Sequence, residues 1–338
     1  MASITFRAVT RVFSGIQPTG RKHLGNLLGA IRHYVADQEE LEGEAIFCVV
    51  DLHSMTVPYE PEALRANTRD TACLLMAAGL DPDRCILFVQ SHLPEHSELN
   101  WILGCVATMG ELNRMTQFKS KAAGRESVSL GLYAYPVLQA ADVLLYKATR
   151  VPVGEDQRQH LELMRDIAGR FNARFGETFP LPEASIPRTA ARIADLQDPT
   201  RKMSTTDGTE EGTIYVLDPP DRLVRKIRRA VTDSGGEIVA REDKPGVSNL
   251  LEILAAVEDR PVPEVEAGFA SQGYGALKDA AAEAVVEYLR PIRERYDELA
   301  ADPAAIEAGL VRGAERARAI AQPVLDEVRE RSGLLIAG

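Results

Sequence analysis

Two short apolar runs with no polar alternation, residues 45–50 (AIFCVV) and 86–89 (ILFV), are the most restrictive feature of this sequence. Such runs are the pattern of strands buried on both faces, as in parallel sheets covered by helices. Between them PEALRANTRDTACLLMAAGL reads as a helix with Leu64, Thr68, Ala72, Leu75 and Met76 on one side, closing at Gly79, a common helix terminator. An earlier apolar segment holds Val9, Val12 and Phe13, with Ile16 near its end. It runs into a helix whose Leu24, Leu27, Leu28, Ile31 and Val35 recur with a 3.6-residue period. Strands alternating with helices give an α/β fold with a parallel sheet, in which ligands bind beyond the carboxyl ends of the strands. Loop 15–20, DLHS (51–54) and QSHLPEHS (90–97) would border that crevice.

At 338 residues the chain is long for one hydrophobic core, so two domains are expected. The composition shifts near Asp198, where DPTRKMSTTDGTEEG leads into mostly helical sequence. The boundary is placed at residue 200, with a catalytic domain over 1–200 and a helical region over 201–338, whose last helices could pack back on the first domain. Composition of 45% hydrophobic and 26% charged residues excludes disorder. No apolar run approaches a membrane span, and MASITFRAVTRVFSG lacks a signal-like stretch, so a cytoplasmic protein without membrane contact is expected. Cys48, Cys73, Cys85 and Cys105 have no C-x-x-C spacing and are expected to be buried, reduced thiols. With 39 basic and 50 acidic residues the net charge is −11, which argues against indiscriminate nucleic-acid binding.

In FSGIQPTGRKHLGNL a glycine-rich turn meets a helix head, where bare N–H groups and the helix dipole favour a phosphate. Gly20 and Gly25 have P-loop spacing, but Asn26 and Leu27 replace the lysine and hydroxyl that a P-loop needs. His23 and Asn26 are then candidate donors to phosphate oxygens, with Gly25 leaving room for a flat ring; an ordinary helix start is the alternative. HLPEH (92–96) fits a zinc-protease pattern, but Pro94 breaks the helical turn that pattern requires, and no metal site is assigned. In VPVGEDQRQHLELMRDIAGRF, Val151 and Val153 precede a turn at Gly154. Glu155 and Asp156 then open a helix carrying Leu161, Met164, Ile167, Ala168 and Phe171. Acids suit any first helical turn; at the crevice mouth they would also accept ribose hydroxyls. Asp142 stands alone among Val137, Leu138, Ala140, Ala141, Val143, Leu144 and Leu145. A buried carboxylate needs donors: either it pairs with a protein group or it awaits a ligand N–H, and the second reading is preferred. RKMSTT (201–206) offers two cations and three hydroxyls on a loop, as in loops that close over triphosphates.

Together these motifs resemble a known family. HLGN is similar to the HIGH motif, and KMSTT to the KMSKS motif, of class I aminoacyl-tRNA synthetases. With FSGIQPTG, NRMTQFKSK, AADVLLY, VPVGEDQ and AVTDSGG, the chain resembles the bacterial tryptophanyl-tRNA synthetases nearly end to end. The resemblance implies a homodimer with a Rossmann-like catalytic domain and a smaller all-helical C-terminal domain that receives the tRNA anticodon. It implies that ATP, with Mg2+, and L-tryptophan form tryptophanyl-adenylate and pyrophosphate, and that tryptophan then passes to the terminal ribose of tRNA(Trp).

Carried over by position, Gln17, Pro18, Thr19, Gly25 and Asn26 would line the ATP site. Gly154, Glu155 and Asp156 would face the ribose, and Ile193 the adenine. Lys202, Met203, Ser204, Thr205 and Thr206 would form the mobile motif. Gln17, Lys121, Lys202 and Ser204 would assist catalysis, with Lys119 adding charge near the phosphates. Asp142 would accept the indole N–H, with Gln139, Phe13, Gly15, His53, Val151, Val153 and Gln157 around the tryptophan. Arg222, Arg225, Lys226 and Arg229 form a basic stripe at i, i+3, i+4 and i+7, opposite Leu223, Ile227 and Val231, and are expected to meet tRNA phosphates or the bound nucleotide from the side; a solvated helix face is the alternative.

Three positions depart from the family pattern. Asn26 replaces the last His of HIGH, Thr205 the second lysine of KMSKS, and Gln139 a methionine common in bacterial members. Thr205 keeps one alternative open, a catalytically weak paralogue acting as a tRNA-binding or regulatory protein. A small nucleotidyltransferase sharing the first loop fits less well, because it would lack the helical region and Asp142.

Overall fold

The computed structural model describes residues 10–41, 43–124, 127–152, 154, 157–185, 193–205 and 208–335. Five parallel strands, β1 (Thr10–Ile16), β2 (Gly43–Val49), β3 (Ile86–Val89), β4 (Arg150–Pro152) and β5 (Glu183–Ser185), form one sheet in the order β3-β2-β1-β4-β5. The two apolar runs are its β2 and β3, buried on both faces. Ala45, Phe47, Val49, Leu87 and Val89 enter one buried cluster, and Ile46, Cys48, Val50, Ile86 and Phe88 the other. Strand period 2 thus divides one apolar run between two cores. Val9 lies outside the described residues.

The first helix has the expected apolar face, with Leu24, Leu27, Leu28 and Ile31 buried and Val35 half-buried. It is not uniform: Leu24–Asn26 leads into a π-helical stretch, Leu27–Ile31, before Arg32–Glu40 continues as α-helix. The helix Pro61–Ala77 ends just before Gly79, whose φ of +119° suits glycine.

After residue 200 the chain is helical, including Pro220–Arg228, Pro245–Glu258, Tyr274–Ala300 and Pro303–Ser332. Leu223, Leu250, Leu254, Leu277 and Leu289 share one buried cluster with Leu24 and Phe47. The last helix packs back on the sheet at edge strand β3, giving Ile306 and Leu310 to one core and Ala317, Leu325 and Val328 to the other. Gly313 permits this crossing, because a Cβ there would sit 1.8 Å from the Leu87 carbonyl oxygen. Arg316 donates to the carbonyls of Pro82 and Cys85, both at 2.8 Å, which helps cover the exposed edge. Among the described residues no helix is long and apolar enough to cross a membrane. Cys48, Cys73 and Cys85 are buried, but Cys105 is exposed at the end of the helix Glu95–Gly104, contrary to expectation.

Candidate active site

The strand order reverses between β1 and β4, and the carboxyl ends of these strands open onto a cavity of about 500 Å³. This is the topological switch point at which open α/β sheets bind ligands. Phe13, Gly15 and Gln17 reach it from β1 and its loop, Val151 and Gly154 from β4 and its loop, and His53 from the turn after β2. Gln139 and Asp142 come from the helix Leu130–Leu144, Lys121 from the helix Thr116–Ala122, and Gln157 from the start of the next long helix. Ten expected residues therefore share one cavity. Pro18, Thr19, Gly25, Asn26, Ile193, Lys202, Met203, Ser204, Thr205 and Lys119 do not line it. Val153, Glu155, Asp156 and Thr206 lie outside the described residues.

At the wall of the cavity Asp142, only 2% exposed, is held by three side chains from two other segments. Its Oδ1 accepts from Gln90 Nε2 at 2.6 Å and pairs with His96 Nδ1 at 2.7 Å; Oδ2 pairs with His53 Nε2 at 2.8 Å. The carboxylate is therefore paired within the protein, the first of the two alternatives the sequence allows. Burial alone would raise the Asp142 carboxyl. The hydrogen bonds from His53 and His96, and the attraction of the same rings, outweigh it and hold Asp142 well below the ordinary carboxylate range.

The remaining expected nucleotide residues gather at the head of the first helix. His23 is its N-cap: His23 Nδ1 accepts from the Asn26 backbone N–H at 3.3 Å, while Asn26 Oδ1 accepts from the His23 N–H at 3.1 Å. The bonded Nδ1 leaves the His23 proton on Nε2. Burial, then the charges of Lys202 and Lys22, push the imidazole down to about 4, so it is a neutral donor at pH 7. Buried Lys22 clamps the preceding loop, donating to the carbonyls of Gln17 at 2.7 Å and Thr19 at 3.2 Å. Desolvation pushes its ammonium down to about 8. Gly20, with φ of +56°, supplies the left-handed turn between these residues. Across from this head, the Met203 N–H donates to the Ile193 carbonyl at 3.0 Å, and Ala194 and Lys202 form a bridge. Ile193 Cβ lies 3.8 Å from where a side chain at Gly25 would begin, and Thr205 Cβ 4.0 Å from that point at Gly20.

Several cavity residues escape a sequence reading. Tyr135 stands four residues before Gln139 and seven before Asp142, a helical spacing that would have revealed it. Its ring meets the edge of His53, and Lys121 Nζ lies 5.1 Å from its centre. Gly29 and Ala30 line the cavity from the π-helical stretch, an irregularity frequent at functional sites. His92 and His96 are not metal partners: Pro94 caps the helix Glu95–Gly104 and only His96 lies inside it. Among the described residues no group of three or more His, Cys, Asp or Glu side chains gathers as a metal cage.

The basic stripe is a correction. Lys226 is fully buried, with Nζ 2.6 Å from Asp218 Oδ2, 2.7 Å from the Thr213 carbonyl and 3.3 Å from Glu210 Oε1. Arg222 pairs with Glu210, and Val231 is 45% exposed rather than on an apolar face. Arg225 and Arg229 alone of the four remain exposed.

A parallel sheet with a cavity at its reversal and a capped helix head beside it defines a nucleotide-binding α/β protein. The family model for class I tRNA synthetases (W and Y) matches residues 7–290. Tryptophan–tRNA ligase 2 of Streptomyces avermitilis is 52% identical over 331 residues, covering 97% of this chain and 98% of that protein. The crystal structure of tryptophanyl-tRNA synthetase from Mycoplasma pneumoniae superposes with a TM-score of 0.88 at 38% identity, covering 97% and 98% of the two chains. That of the Campylobacter jejuni synthetase, complexed with ADP and tryptophan, gives 0.83 at 34% identity, covering 96% and 100%. The chain belongs to the class I tRNA synthetases of the tryptophan and tyrosine branch.

Proposed function

We propose that the chain is a tryptophan–tRNA ligase, activating L-tryptophan with MgATP to tryptophanyl-adenylate and pyrophosphate and passing the tryptophanyl group to the 3′-terminal ribose of tRNA(Trp). One observation carries the reading: a buried, ionised Asp142 in the wall of a cavity that Phe13, Val50, Tyr135, Val143 and Val151 also line. Apolar walls beside one buried carboxylate suit a flat apolar ring bearing a single N–H, and the indole is donor-only. A phenol is shorter and places its hydroxyl elsewhere, so tyrosine is rejected.

In this reading the tryptophan carboxylate attacks the α-phosphorus, so no protein nucleophile is needed. The protein contributes orientation and electrostatic stabilisation of the leaving pyrophosphate. Gln17, Lys121, Lys202 and Ser204 carry that role. Neutral His23 and the Asn26 amide donate to phosphate oxygens at the helix head, and Pro18, Thr19, Gly25, Gly154, Ile193, Met203 and Thr205 shape the nucleotide site. Magnesium enters with the triphosphate as part of the substrate, in keeping with its preference for phosphate oxygens and water. His53, Gln139, Gln157, Gly15 and Val151 complete the tryptophan site.

Residues 1–200 form the catalytic domain and 201–338 the region that meets tRNA, with the exposed Arg225 and Arg229 as phosphate contacts. The protein works in the cytoplasm as a homodimer. Trp101, Met109 and Leu130, 75%, 71% and 78% exposed, are the apolar groups that a second copy would cover. The test is charging of tRNA(Trp): tryptophan is transferred and tyrosine is not. A folded protein that charges neither overturns the proposal.

A further inference from the structure

Asp142 does not act alone, and the groups behind it form a buried chain. His96, with no exposed surface, spans Asp142 Oδ1 (Nδ1, 2.7 Å) and the Tyr146 hydroxyl (Nε2, 2.8 Å). An ionised carboxylate only accepts, so Nδ1 carries the His96 proton. Burial pushes the Tyr146 phenol well up, so it keeps its proton and donates to Nε2. Tyr146 is fixed in turn by stacking on Phe13 at 5.5 Å and by its edge contact with Phe88. Gln90 supplies the second donor to Oδ1, and its own Oε1 accepts from the Leu52 N–H at 3.1 Å. Oδ1 thus has two donors, whereas among the described residues Oδ2 has only His53. The carboxylate is turned so that its remaining acceptor capacity lies on Oδ2.

We infer that His96 is a positioning residue for substrate specificity: locked by Tyr146 into the Nδ1–H tautomer, it pins Oδ1 of Asp142 and thereby presents Oδ2 to the single N–H of the amino acid's ring. The inference rests on the tryptophan reading above. The cavity lining includes neither His96 nor Tyr146, because both stand behind Asp142; Tyr146 closes the AADVLLY motif, and His96 lies outside the family motifs.

The readout is selectivity, the kcat/KM ratio in pyrophosphate exchange for tryptophan over its analogue with sulfur in place of the indole N–H. His96→Gln moves the amide past Asp142, and the ratio falls by about tenfold or more, while KM for ATP stays within about twofold. His96→Asn keeps a donor near the Nδ1 position and restores most of the ratio. Tyr146→Phe preserves the ring packing, frees the tautomer and lowers the ratio less. It decides the question if His96→Gln does not fold. An unchanged ratio in either folded variant, or an equal loss for both amino acids, overturns the inference. Asp142→Asn separates the two levels. If it leaves the ratio intact, the tryptophan reading itself fails; if it collapses the ratio while His96→Gln does not, only the role of His96 fails.

Discussion

Replacing Lys226 by methionine tests the buried network that turns an apparent basic stripe into a structural anchor. Lys226 has no exposed surface and Asp218 is 2% exposed, with 2.6 Å between their charged atoms. Removing one partner of such a pair strands a charge away from water, which costs about 3–5 kcal/mol. Here Arg21 at 3.3 Å and Arg222 at 3.9 Å, 51% and 33% exposed, remain beside Asp218 and offset part of that cost. The expected loss is therefore about 3 kcal/mol, near the lower bound. With an m-value of about 3 kcal/mol/M, the urea midpoint falls by about 1 M. Adding Asp218→Asn removes the stranded charge and recovers most of the loss. A single variant within about 0.5 kcal/mol of the native protein, as for an exposed lysine, refutes the buried-pair account.

Four further outcomes are expected. Gly313→Ala drives a methyl group into the Leu87 carbonyl, so thermal unfolding should show a loss of about 1–3 kcal/mol or more; an unchanged melting temperature contradicts the close crossing. His23 is held down to about 4 by burial and by Lys202 and Lys22, whereas the unfolded chain titrates near ~6.5. The stability from its neutral form is therefore complete above the unfolded value and lost as pH falls through about 4. Urea midpoints across that window should vary less with pH in His23→Asn, and an identical profile counts against it. Charge reversal at Arg225 and Arg229 should weaken tRNA affinity about tenfold or more at low salt, and unaltered affinity removes them from the interface. Thr205→Lys should speed pyrophosphate exchange by up to about tenfold; no change means that other cations already serve the phosphates.

The strands β2 and β3 were readable because burial on two faces leaves an unbroken apolar run, and the first helix because its face repeats every 3.6 residues. β5 (Glu183–Ser185) carries no such signature; two of its three residues are exposed and only pairing with β4 defines it. Lys226 was misread for the same reason that Asp142 was only half understood. A charged residue's surroundings depend on partners distant in sequence: Glu210 for Lys226, and His53, 89 positions from Asp142. Gly313 sits mid-helix, where local propensity argues against glycine, and only the approach of Leu87 explains it. Motif order brought the cavity residues together on paper, but the groups behind them, Gln90, His96 and Tyr146, answer to tertiary contacts.

The measurement to make first is tryptophan-dependent ATP–pyrophosphate exchange, run beside tyrosine and repeated with Asp142→Ala. Exchange with tryptophan, none with tyrosine, and loss in the folded variant is the expected result. Exchange that ignores the substitution would contradict the role of Asp142. No exchange from folded protein that still binds tRNA would contradict the ligase activity and favour a non-catalytic paralogue.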